Sequence, residues 1–202
     1  VACGAVRWAA YRHRMHDDVS VGVAGGAAGS GAMVFVCAAC GVALTGPLER
    51  LPAVPEPPYF PWWESDERGP SPATVPSGRY AIETEHYGAP LVVTDVPGPA
   101  MPRRGTMSDG HGRWLVSRGP RGNIVIDPDD ARGLELRHAS AACCGATPDG
   151  GMNQACACGT LVATLCSDCC LPYELHLSAA HVRAVPAVRP GAGEAGPGPA
   201  GQ

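Results

Sequence analysis

Two short cysteine pairs set the chemistry open to this chain. Cys37-Ala38-Ala39-Cys40-Gly41 has the C-x-x-C-G form. In that form two thiolates on a tight turn chelate one ion, backbone N–H groups point at the sulfurs, and Gly accepts the positive φ that closes the turn. A tetrahedral Zn2+ site wants four ligands, so one knuckle implies a second. The second occurs as an imperfect internal repeat of residues 36–45 in residues 155–164: a Cys pair, a Gly, then an apolar run ending in Thr. Two knuckles far apart in sequence, closing over one ion, have the layout of a zinc ribbon. They give Cys37, Cys40, Cys156 and Cys158 as the ligands of a structural four-cysteine site.

The second knuckle is C-x-C, one residue shorter than the first. That leaves two ways to complete the site: Cys156 with Cys158, or Cys158 with one of the cysteines in 166–170. Cys166-Ser167-Asp168-Cys169 has C-x-x-C spacing without the following Gly. Cys143, Cys144, Cys166 and Cys169 are therefore candidates for a second metal site, against the alternative that they are small buried hydrophobes. His176 and His181 have the H-x4-H spacing of a classical finger, but too few residues separate them from Cys169 for that motif. His176 reads as strand and His181 as surface helix, while His86, His111 and His138 read as isolated and solvated.

The remaining composition describes a chain with little core. Its 202 residues include 27 Gly and 21 Pro, nearly a quarter of the chain, and only 5% aromatics. All 15 basic residues are Arg, a bias toward GC-rich codons that reports on the genome and not on function. A net charge of −4 gives no support for nucleic-acid binding. No charged residue occurs from 19 to 48, yet the centre of that run is Gly, Ala and Ser, which suits neither a membrane span nor a signal peptide. Residues 1–32 read as a flexible extension, with Met33 as the natural start, which places the protein in the reducing cytoplasm. There, clustered cysteines more often hold metal than form disulfides.

The elements that must position these cysteines are short strands. Runs rich in Val, Ile and Leu at 34–36, 79–83, 91–93, 113–116, 123–126, 134–137, 160–165 and 173–177 are separated by Gly and Pro turns. Asp127-Pro128 predicts one helical turn, and Ser178 a capped final helix to about residue 185. Eight prolines make 52–78 a loop. Its aromatic run, Tyr59-Phe60-Pro61-Trp62-Trp63, either docks a partner or folds back over the core. The fold expected is a small, mainly β domain with minor α content over 33–185, with zinc-ribbon-like knuckles, a Pro-rich loop and disordered extensions, the tail being 186–202.

From Met33 to about Val185 the chain resembles a group of small uncharacterised zinc-ribbon-like C-x-x-C proteins of high-GC bacteria. The resemblance rests on Met33, Cys37, Cys40, Gly41, Leu44, Thr45 and Pro47 at one end. At the other it rests on Asn153, Ala155, Cys156, Cys158, Gly159, Val162, Ala163, Thr164, Asp168 and Cys169, with an echo in the strand 121–128. It implies a zinc-ribbon-like metal site and no particular activity.

The function expected is a non-enzymatic zinc-binding protein serving a protein partner, since the common hydrolase, metalloprotease and phosphate-loop signatures are missing. Arg103, Arg104, Arg113, Arg118 and Arg121 form only a loose basic stretch, which reads as a solvated loop. The alternative is a thiol-disulfide redox protein using a C-x-x-C pair, although the strand and turn after Cys40 differ from the helix such a site requires. A catalytic zinc would have to draft Asp168 or His138.

Overall fold

Short apolar runs between turns pair into sheets because no run is long enough to bury a helical face. The computed structural model describes residues 31–61, 71–137 and 145–187. Its strands are Met33–Cys37 (β1), Glu49–Arg50 (β2), Arg79–Ile82 (β3), Leu91–Thr94 (β4), Met107–Ser108 (β5) and Trp114–Ser117 (β6). Ile124–Ile126 (β7), Leu134–Leu136 (β8), Gln154–Cys156 (β9), Leu161–Cys166 (β10), Glu174–Leu177 (β11) and Val182–Pro186 (β12) follow. Seven of these form one sheet in the order β2-β3-β7-β11-β10-β9-β8. The others make a three-stranded sheet, β4-β6-β5, and a β1-β12 ribbon.

The architecture is mostly β, as the strand-and-turn pattern predicts, and among the described residues no helix reaches seven residues. Helical content among the described residues is confined to 3-10 turns such as Pro128–Asp130, where the Asp127 side chain accepts from the Asp129 N–H as expected of an Asp-Pro cap. No helix among the described residues is long and apolar enough to cross a membrane.

One element differs from expectation. The helix read from Ser178 to residue 185 is instead a single turn followed by β12. The Ser178 carbonyl accepts from the N–H groups of His181 and Val182, at 2.9 and 3.0 Å. Pairing with β1, in register from Cys37↔Val182 to Met33↔Pro186, then takes over. Val182 and Val185 suit a strand, and a long-range partner outweighs one capping residue. His181, read as helix surface, lies half-buried in that turn. In the aromatic run Tyr59 is 84% exposed, so it does not cover the core; Trp62 and Trp63 lie outside the described residues.

Strand β11, Glu174-Leu175-His176-Leu177, is buried on both faces, and alternation divides it. Leu175 and Leu177 join Phe35, Leu44, Leu48, Tyr80, Ile124, Ile126 and Val182 in the apolar core between the large sheet and the β1-β12 ribbon. Phe35 meets Tyr80 edge-on at 5.0 Å. Glu174 and His176 face the other way, on the same side as Cys166 and Thr164, their register partners in β10. Cys37 and Cys156 belong to the apolar core, so the two knuckles stand at its edge.

Candidate metal centre

The first knuckle follows directly from β1. Cys37 N–H donates to Val42 O and Gly41 N–H to Cys37 O, both at 2.9 Å, and Gly41 takes φ +78°. Thr45, which ends the repeat unit, accepts from Phe35 N–H through its hydroxyl at 3.0 Å, tying the return run to β1.

The second knuckle joins β9 to β10. Cys156 N–H donates to Thr160 O at 2.9 Å and Gly159 N–H to Cys156 O at 2.8 Å, with Gly159 at φ +89°. Position for position the hydrogen bonds repeat those of the first knuckle: the first Cys bonds the residue after Gly, and Gly bonds back to the first Cys. Losing one residue shortens the loop between the cysteines and leaves this frame intact. The Asn153 side chain supports the hairpin, accepting from Leu165 N–H at 2.7 Å and donating to Leu165 O at 3.0 Å.

The four sulfurs of Cys37, Cys40, Cys156 and Cys158 lie within 4.8 Å of one another. They pair crosswise, the first Cys of each knuckle next to the second Cys of the other: Cys37 to Cys158 at 3.8 Å, Cys40 to Cys156 at 3.6 Å. Four sulfurs at Zn–S distances around one tetrahedral ion would be separated by about 3.8 Å. In each knuckle the first Cys is buried and the second exposed. Burial pushes the Cys156 thiol up to about 12, whereas the hydroxyl and N–H of Thr160 at its sulfur pull Cys158 down to about 6. A buried thiol that resists ionising, grouped with three others, becomes a thiolate when a cation compensates its charge. The cluster is within metal-binding distance and compatible with structural metal binding.

No protein-family model, curated protein or solved structure matches the chain. What the site can do follows from its own geometry.

The remaining cysteines divide. Cys143 and Cys144 lie outside the described residues, as do Cys3 and His138. Cys166, expected alongside Cys169 as a metal ligand, instead points into the polar face of the large sheet. It is buried, its thiol pushed up to about 12 by that burial and then by the Glu174 charge, and the Tyr87 hydroxyl bonds to it. Cys169 lies with Cys170 and Asp168 in a separate cluster that excludes Cys166.

Beneath Cys166 is an ionic cluster that the sequence did not announce. Glu174 is fully buried. It accepts from Arg103 at 2.7 and 3.2 Å and from His176 Nε2 at 2.7 Å. Arg103 also reaches Glu83 at 2.8 Å, and Tyr87 stacks on His176 at 3.6 Å. Burial would raise the Glu174 carboxyl, but the hydrogen bonds and charges of His176 and Arg103 outweigh it and hold it at about 2. Arg103, read as part of a solvated basic stretch, is thus an internal clamp between the loop before β5 and strand β11. Arg104 pairs with Asp149 at 2.9 Å and Arg113 with Asp109 at 2.7 Å. His86 is half-buried rather than isolated, its Nδ1–H donating to Gly119 O at 2.6 Å, and His111 is exposed as expected.

Proposed function

We propose that Cys37, Cys40, Cys156 and Cys158 hold one structural Zn2+, and that the protein is a non-enzymatic, cytoplasmic zinc-binding module that serves a protein partner. The observation that carries this reading is the crosswise spacing of the four sulfurs, 3.6 and 3.8 Å, across knuckles 116 and 121 residues apart. A tetrahedral all-sulfur set suits Zn2+, which needs no redox partner and imposes no geometry of its own beyond the ligands. Two cysteines sit in the core and two at its surface, so the ion would fasten the β1-β12 ribbon to the β9-β10 hairpin. A chain this poor in aromatics gains from such a staple, because metal-binding free energy becomes folding free energy. The exposed knuckle tips, with Val42 half exposed at one of them, are the surface we assign to a partner.

Native mass spectrometry of the full chain, with and without a strong chelator, tests this reading. The mass should include zinc before chelation, and chelation should remove it together with the cooperative melt. A folded protein without metal would overturn the reading and favour thiol-disulfide exchange at Cys37 and Cys40.

A further inference from the structure

The loop between β10 and β11 carries a second set of soft ligands that the four-cysteine centre does not use. Leu171 N–H donates to Asp168 O at 2.9 Å, closing a turn with Cys169 and Cys170 at its two central positions. Adjacent side chains diverge on an extended chain, but this turn swings both thiols to one side, with their sulfurs 3.7 Å apart. That falls within the spacings of the four-cysteine centre, and matches the edge of about 3.8 Å for two thiolates on one tetrahedral ion. Asp168 Oδ1 stands 3.8 Å from Cys169 Sγ, and all three ligand atoms lie within 4.8 Å of one another.

The loop is also fixed from outside. Ser167 N–H and Asp168 N–H both donate to Ala146 O, at 2.9 and 3.2 Å, and Ala146 N–H donates to Ser167 Oγ at 3.0 Å. Gly145 packs so closely that an added Cβ would stand 2.3 Å from Ser167 O. Asp168 is buried and the two cysteines half-buried. A ligand loop held in place by neighbouring backbone loses little freedom when it takes an ion.

We propose that Asp168, Cys169 and Cys170 form a second cation site, for a borderline divalent ion of the zinc class. Two sulfurs and one carboxylate exclude the hard ions Ca2+ and Mg2+, which demand oxygen, and suit Zn2+ or its spectroscopic substitute Co2+. The site shares no ligand with the four-cysteine centre and does not rest on the reading of that centre.

The test is titration of the chelator-treated, reduced full-length protein with Co2+ and Zn2+. Thiolate-to-cobalt charge-transfer absorption is followed, and equivalents are counted by native mass spectrometry. Wild type should take two equivalents. The Cys169→Ser/Cys170→Ser double variant should take one, with the all-sulfur cobalt spectrum retained. Asp168→Asn, which keeps an acceptor for the Cys170 N–H but removes the charge, should weaken the second equivalent and leave the first unchanged. It tests the site even if the double variant does not fold. Two equivalents retained in the double variant, or a single wild-type equivalent that survives in it, would overturn this site. So would a Cys169–Cys170 disulfide that survives treatment with excess reductant. A single wild-type equivalent lost in the double variant would support this site and remove the four-cysteine reading instead.

Discussion

The molecule joins distant parts of its chain at two centres of opposite chemistry. At the sulfur centre, Cys37 and Cys40 meet Cys156 and Cys158 at the edge of the core, two of them facing solvent. At the ionic centre, Arg103 crosses from the loop before β5 to Glu174 on β11 and to Glu83, deep on the opposite face of the same sheet. The ionic centre carries a cation of its own, Arg103, between its two carboxylates. The sulfur centre groups like ligands that repel once ionised, so on the reading proposed above its cohesion would come from a bound cation. One should therefore yield to a chelator and the other only to a mutation.

The largest effect expected is at the sulfur centre. Cys37→Ser or Cys156→Ser should release the ion and abolish the cooperative melt. Structural zinc contributes on the order of 10–16 kcal/mol in small domains, as much as the whole stability of a typical domain at about 5–15 kcal/mol. Metal content and a circular-dichroism melt check this; a native-like melt with metal retained would show that the cysteines are not a staple.

The ionic centre comes next. Arg103→Met leaves Glu174 and Glu83 buried without their cation, and breaking a buried pair in this way costs about 3–5 kcal/mol. Urea denaturation should show that loss with metal content unchanged, which separates the two centres.

Acid should separate them again. With its carboxyl held at about 2 against an ordinary 4.5, Glu174 contributes its stability fully above 4.5 and loses it only as pH falls toward 2. That contribution should therefore be equal at about pH 8 and about pH 5.5 in the wild type. Arg103→Met lets burial push the Glu174 carboxyl up, so the cost of the substitution should shrink at the lower pH as that carboxyl takes up a proton. Metal binding, which needs thiolates, should weaken over the same interval. A cost that does not shrink toward about pH 5.5 would show that Arg103 is not what keeps the Glu174 carboxyl ionised.

Smaller effects sharpen the comparison. Gly41 has open space around its missing Cβ but sits at φ +78°, so Gly41→Ala should cost only backbone strain, about 1–2 kcal/mol, read as a lower melting temperature with metal still bound. Smallest is Arg79→Ala. It removes the exposed ion pair with Glu49 and should change stability by about 0–1 kcal/mol in the same urea experiment.

Legibility in the sequence follows the same division. The knuckles could be read because thiols and Gly at fixed local spacing carry their geometry with them. Even the short C-x-C turn preserves the hydrogen-bond frame around Gly159. The ionic centre could not, because Arg103 and Glu174 are 71 residues apart and each sits in an ordinary setting. Arg103-Arg104 looks like a solvated loop, and Glu174 and His176 alternate with Leu as on any half-exposed strand. Only the covering of that second face, by Tyr87 and the loop bearing Arg103, turns it inward. The Glu-x-His alternation was the one available signal, and alternation alone does not say which face is covered. The final strand escaped for a related reason: β12 is a strand because β1 lies beside it, a fact that the residues 178–186 do not contain.

The sharpest test of the sulfur staple is zinc K-edge absorption fine structure on the Cys169→Ser/Cys170→Ser protein, in which the four-cysteine centre is the one intact cluster of candidate ligands among the described residues. A single shell of four sulfurs at about 2.3 Å is expected. A shell with nitrogen or oxygen in place of any sulfur, or a folded protein with no zinc to measure, would contradict it.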